Sequence, residues 1–237
     1  MIKIEFFHDV ICSFCFPMSA RMRKISEKYN NVEIIHRSFA LGWEEENFIR
    51  MFGSREAVKP EVLGHWAQAN QNDDDHRFDI EGMETQDFNF PISKPGLLAA
   101  KAAGLLGGQE AYWEVFDALQ EALFVENKNI EDPQVIEEVI QGTDVDLEKW
   151  KEQVQQPETE EAVLADLKQA ENYSVYSAPT LIINGKYRIS GAQPLERIEQ
   201  ALEKAAIEEG ISLNQLEDLT VDESGSCFII DGKWECD

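Results

Sequence analysis

The chain has 237 residues, 43% of them hydrophobic and 28% charged, enough to bury a sizeable core in one elaborated domain or in a domain carrying a large insertion. Its 46 Asp and Glu oppose 21 Lys and Arg for a formal net charge of -25, which repels nucleic acid and anionic membrane surfaces at long range and marks a well-solvated surface. Lys3, Glu5, His8 and Asp9 interrupt the apolar start, and no run reaches the roughly 18 apolar residues of a membrane span. The expectation is a cytoplasmic protein with neither signal peptide nor membrane partner.

Residues 2 to 7, IKIEFF, alternate apolar and polar before two aromatics, and VEIIHRSFAL at 32 to 41 is a second β-leaning run. Between them Met18, Met22, Ile25 and Tyr29 fall at helical spacing, so the start reads as a β-α-β unit. From Trp43 to about Tyr173 the strand signals almost vanish. Amphipathic helices are predicted near 54–70, 94–106 and 109–124, the last with Tyr112, Trp113, Phe116 and Leu119 on one side. Asp132 and Pro133 open a further helix that stops at Gly142, and two more follow near 144–156 and 158–172. Residues 71–93 read as the longest loop.

Strand character returns in APTLIINGKYRISGAQ, where Asn184-Gly185 separates two β-rich runs as a hairpin turn whose residues both need positive φ. A closing helix starts at Pro194 and ends at Gly210. The order β-α-β, helical block, β-β-α predicts an α/β fold. One small sheet is built from both ends of the chain (1–42 and 174–209), with an all-helical insertion at 43–173 and a tail at 210–237.

Cys12 and Cys15 sit two residues apart at the first strand-to-helix junction. A cysteine at a helix N-terminus is stabilised as thiolate by unpaired N–H groups and the helix dipole, and Cys12 is expected there. Cys15, one turn on and more buried, can reach the first sulfur. That suits a nucleophile and a resolving thiol exchanging disulfides. A zinc site needs a second half, yet Cys227 and Cys236 are eight residues apart and His8, His36, His65 and His76 form no ligand ladder. Inert buried sulfur is the remaining alternative. Pro179, just before the strand TLII, is compatible with either isomer; if cis, it places the backbone of Ala178 beside the cysteines, free to hold an extended peptide.

Taken together, HDVICSFCF, the run from ALFVENKNIEDPQVIEEVIQG and APTLIINGKYRISGAQP resemble the thioredoxin-like fold of the DsbA family over about residues 1–209. The likeness is strongest to its FrnE-like branch, which is grouped with the 2-hydroxychromene-2-carboxylate isomerases. The resemblance implies a thiol-disulfide oxidoreductase with Cys12 as nucleophile, Cys15 as resolving thiol and Pro179 cis and facing them. Ser13, Phe14, Ala178 and Pro179 are then the substrate-binding residues. It implies no bound cofactor, glutathione or another small thiol as co-substrate, thiol- or disulfide-containing partners, and a monomer or homodimer. Ser13 and Phe14 depart from the Pro-His pair frequent in DsbA-type enzymes. Without that histidine the chain is expected to be a weaker oxidant, nearer the about -270 mV of thioredoxin than the about -120 mV of DsbA. The isomerase branch usually has serine at the first position, which Cys12 argues against. A non-catalytic peptide-binding module of the same fold is the alternative of a different class.

In the tail, Asp231-Gly232 is a second hairpin signal, and counting outward pairs Cys227 with Cys236 at a non-hydrogen-bonded position where a bridge fits. A stapling disulfide, a relay pair of the kind FrnE-like proteins carry, and two free thiols are the alternatives. His8 and Asp9 are candidate tuning residues, each with a structural role as the simpler reading. QNDDDHRFD lacks the Gly and Glu spacing of a calcium loop, and no metal is expected.

Overall fold

Ile2, Ile4 and Phe6 alternate along strand β1 (Ile2–His8), and together with Phe7 and His8 they leave only Lys3 exposed. A strand buried on both faces belongs in the middle of a sheet. In the computed structural model, which describes residues 1–213 and the strand segments 227–230 and 233–236, that is where β1 lies. It pairs in parallel with β2 (Val32–Ser38) on one side and antiparallel with β3 (Thr180–Ile183) on the other, and β3 pairs with β4 (Tyr187–Ser190). The order β2-β1-β3-β4 draws one mixed sheet from both ends of the chain. Asn184 and Gly185 take φ of 51° and 68°, as the β3–β4 turn requires.

Helix α1 (Cys15–Lys28) crosses from β1 to β2 and buries Met18, Met22 and Ile25, each worth about 1.5–3 kcal/mol of apolar burial. Pro17 sits in its first turn, where a missing N–H costs nothing. The helices between β2 and β3 are α2 (Glu45–Phe52), α3 (Val58–Asn72), α4 (Ile80–Thr85), α5 (Ser93–Phe124), α6 (Pro133–Gln141), α7 (Leu147–Val154) and α8 (Pro157–Asn172). Helix α9 (Leu195–Glu208) closes the domain through Ile198, Leu202, Ala205 and Ala206. On the opposite sheet face, Phe7 and Ile182 pack against Ala170 of α8 and Val175.

Two expectations are corrected. The segment 71–93 is not one loop, because Asp79 caps a short helix by accepting from the Gly82 N–H at 3.0 Å. Helix α2 lies ahead of the first predicted insertion helix, begun by a reciprocal pair between Glu44 and Asn47. The helices expected at 94–106 and 109–124 are both present, as the two arms of α5 on either side of a break at Gly108, whose φ of 75° and ψ of -162° are open to glycine.

Near the C-terminus, β5 (Cys227–Ile230) and β6 (Lys233–Cys236) pair antiparallel, with Ile230 opposite Lys233 and Cys227 opposite Cys236. This is the register counted outward from Asp231-Gly232. The turn itself and the side chains of Cys227 and Cys236, and with them any bridge, lie outside the described residues. No helix among the described residues is long and apolar enough to cross a membrane.

Candidate active site

The chain leaves β1 at His8 and turns twice before α1 begins. The Cys12 N–H donates to the Asp9 carbonyl at 3.1 Å, and the Cys15 N–H donates to the Cys12 carbonyl at 2.9 Å. Cys12 is therefore not the first residue of the helix, as expected, but lies one turn ahead of it; α1 starts at Cys15 behind Phe14, with no side-chain cap. The loop is held from α5, where the Gln120 amide nitrogen reaches the carbonyls of Asp9, Val10 and Cys12 at 3.4, 3.4 and 3.3 Å.

Both cysteines are free thiols. Cys15 is wholly enclosed and Cys12 is 4% exposed. Burial pushes the Cys15 thiol well above its ordinary range, and its hydrogen bond with Cys12 pushes it the same way, as does the field of Asp9 more weakly. Cys15 is thus held protonated. The Cys12 thiol donates to the Ala178 carbonyl at 3.5 Å, and the Ala178–Pro179 peptide bond is cis. Ser13 is buried beside the cysteines and Phe14 half-buried.

Asp9 is fully buried, and its carboxylate ties three segments together. It accepts from the Ile11 N–H at 3.3 Å, the Leu41 N–H at 2.7 Å and the Ser93 hydroxyl at 2.7 Å, while Ser93 accepts from the Gly42 N–H at 3.0 Å. Burial raises its pKa to about 6 despite these donors. His8 lies in a ring cluster against Phe116, centroids 3.9 Å apart, and its Nε2 meets His36 Nδ1 at 3.0 Å. Both histidines are pushed well below their ordinary range, by burial first and then by neighbouring positive charge.

The three groups predict a specific acid response. Each histidine is neutral when folded and takes up a proton near pH 6.5 once unfolded, so its stabilisation is present above that pH and lost as pH falls. Asp9 works in the opposite sense. Its folded pKa is raised, so its stabilisation is complete below about pH 4 and is lost as pH rises through about 6. Between about pH 4 and 6 Asp9 thus releases close to one proton on unfolding and offsets about 1.4 kcal/mol per pH unit of the histidines' loss. Asp9→Asn is expected to steepen the loss of stability on acidification by about one proton, about 1.4 kcal/mol per pH unit between about pH 4 and 6, in urea-unfolding curves, whereas an unchanged slope would contradict the assignment.

Beside Cys12 opens a cavity of about 240 Å³, walled by α2, α3 and the residues Leu41, Phe90 and Ala178. Sequence reasoning missed Gln120, Ser93 and this cavity, because all three depend on which helices come to lie over the loop; a glutamine within the apolar stripe of α5 was the one available signal. Among the described residues no three His, Cys, Asp or Glu side chains converge as a metal-ligand set.

Comparison with known proteins agrees with this fold. The family model described as DSBA-like thioredoxin domain matches residues 3–203. The ClpXP adapter protein SpxH of Bacillus subtilis is 38% identical over 93 residues, which are 38% of this chain and 31% of that protein. The match thus spans about a third of the length of that relative. Among solved structures, a candidate protein disulfide isomerase from Nitrosomonas europaea superposes with a TM-score of 0.71 at 15% identity, covering 88% of this chain and 98% of that one. The cytosolic disulfide reductase DsbM from Pseudomonas aeruginosa, solved with glutathione, gives 0.66 at 15% identity, covering 85% and 99%. At such identities the likeness is one of fold.

Proposed function

Because the chain belongs to the DSBA-like thioredoxin domain family, we propose that it is a thiol-disulfide oxidoreductase in which Cys12 is the nucleophile and Cys15 the resolving thiol. The observation that carries this reading is the asymmetry of the pair: Cys12 lines the cavity, whereas Cys15 is enclosed and held protonated. As a thiolate, Cys12 attacks a substrate disulfide R–S–S–R′, forming Cys12–S–S–R and expelling R′S⁻. Cys15 then attacks the Cys12 sulfur, its proton passing to the departing RS⁻. Two electrons have moved from the cysteine pair to the substrate, and the reverse sequence oxidises a dithiol.

Ser13, Phe14, Ala178 and Pro179 face the substrate in this scheme, with the Ala178 carbonyl freed from Cys12 once the thiol loses its hydrogen. Asp9 tunes the pair by disfavouring a second negative charge at Cys15, and His8 supports β1 from the core. No bound cofactor enters the steps; a small thiol such as glutathione serves as co-substrate, and the reaction belongs in the cytoplasm. Catalysed reduction of a disulfide substrate in a thiol buffer tests the reading. Cys12→Ser is expected to lower the rate at least about 100-fold, and activity that survives both this change and Cys15→Ser would overturn it. Activity lost with Cys12 but kept without Cys15, together with stoichiometric glutathione binding, would instead mark a glutathione-dependent isomerase.

The SpxH match favours a second reading, a protein-binding module that needs neither thiol. It predicts that the Cys12→Ser, Cys15→Ser double variant keeps full partner binding.

A further inference from the structure

Gln120 is an unexpected residue for its place. It falls among Phe116, Leu119 and Leu123 on the buried face of α5, has no exposed surface, and its amide oxygen has no hydrogen-bond partner. A buried acceptor left unpaired costs stability, so as packing alone an apolar side chain of the same shape would serve better. What Gln120 supplies is its other end. Its Nε2 sits 3.4, 3.4 and 3.3 Å from the carbonyl oxygens of Asp9, Val10 and Cys12. The Asp9 and Cys12 carbonyls also accept from the Cys12 and Cys15 N–H groups, whereas for the Val10 carbonyl Gln120 is the only donor among the described residues.

Gathering these carbonyls on one side also orients the other side of the loop. A trans peptide holds its C=O and N–H in opposite directions, so the three peptides that offer their oxygens to α5 turn the N–H groups of Val10, Ile11 and Ser13 away from it. The first two go to the Asp9 carboxylate, that of Ile11 at 3.3 Å. The Ser13 N–H, directly after Cys12, donates to no backbone carbonyl. Backbone N–H groups aligned in this way favour a neighbouring negative charge.

We propose that Gln120 is a positioning residue that sets the reduction potential of the Cys12–Cys15 pair: its amide gathers the loop carbonyls, and the N–H groups held opposite them, that of Ser13 above all, favour Cys12 as thiolate. The proposal rests on the exchange activity argued above. Reduction breaks the S–S bond and, with two electrons and one proton from a thiol buffer, leaves a Cys12 thiolate and a Cys15 thiol. Whatever favours the thiolate favours the reduced pair and makes the disulfide a stronger oxidant. Without Gln120 the three peptides are free to turn, and that bias falls. The helical insertion thus tunes the pair from an element that carries neither thiol.

The test uses the full chain and two shape-conserving variants. Gln120→Met removes both amide hydrogens, and Gln120→Glu leaves at most one. Equilibrated in glutathione buffers, each variant is expected to shift its equilibrium constant about tenfold toward the disulfide, a potential lower by about 30 mV. Alkylation of Cys12 by iodoacetamide at neutral pH should slow about tenfold, in line with a smaller thiolate fraction. A purely structural role destabilises both redox states alike and leaves the potential unmoved, so a native potential in either folded variant would overturn the proposal while the exchange activity stands. The native chain gives a readout without substitution: the side-chain amide NMR signal of Gln120 should differ between the dithiol and disulfide forms, and an identical signal would overturn the proposal. A native chain that forms no Cys12–Cys15 disulfide in these buffers would overturn the exchange activity and the proposal with it.

Discussion

Replacing Cys15 by alanine is expected to turn Cys12 from a thiol that captures and releases into one that only captures. The first displacement needs only the Cys12 thiolate and a substrate disulfide, whereas the second needs the Cys15 sulfur. Without it the mixed disulfide persists until an outside thiol resolves it. After oxidative load and rapid alkylation, non-reducing electrophoresis should show at least about ten times more adduct on Cys15→Ala than on the native chain, mapped to Cys12. Cys12→Ser should carry none. Cys15 has no exposed surface, and losing one small sulfur from that core costs about 1 kcal/mol, so folding should survive the change. Adduct carried equally by Cys12→Ser would place the reactive thiol elsewhere in the chain.

The largest expected loss of stability lies where α5 and α8 meet β2. Asp166 of α8 is 3% exposed and accepts from the Lys101 ammonium of α5, from the Arg37 guanidinium at 3.0 Å and from the Ser38 N–H at 2.9 Å. It joins α5, α8 and β2 at one point. Burial lowers the Lys101 pKa, and Asp166 is the group that counters it. In Asp166→Ala the enclosed ammonium and the Ser38 N–H both lose their partner, and breaking a buried pair from one side costs about 3–5 kcal/mol. Arg37 is partly solvated and pairs also with Glu5, so its share is small. Urea unfolding should show that loss, and Lys101→Met in the same background should restore part of it. A loss below about 1 kcal/mol would mean that water already reaches the ammonium.

Much of the fold was legible because it is set by short-range patterns. The β-α-β start follows from the alternation around Ile4 and Phe6 and the spacing of Met18, Met22 and Ile25. The Asn184-Gly185 turn and the β5–β6 register follow from two dipeptides whose backbone needs are specific. Helices α2 and α4 escaped although each opens on a capping residue, Glu44 and Asp79. The kink at Gly108 was legible only as a gap between two helices.

The site divides along the same line. Cys12 and Cys15 stand out by spacing alone, and Ala178 and Pro179 through the resemblance of their segment. Gln120 and Ser93 do not, since each reaches the loop from more than 80 residues away along the chain, and no local pattern marks such a partner. The placement of Cys12 ahead of the helix rather than on it has the same character: the Gln120 amide nitrogen lies within reach of three loop carbonyls and holds the turn from α5.

The central claim is that Cys12 and Cys15 interconvert between two thiols and one disulfide. Equilibration of the full chain in graded thiol-disulfide buffers, followed by acid quench, alkylation and peptide mapping, measures this directly. The expected result is a single two-electron transition confined to Cys12 and Cys15, with a midpoint below about -180 mV. Two thiols that stay alkylatable at every poise, or a disulfide that joins either of them to another cysteine instead, would contradict the account.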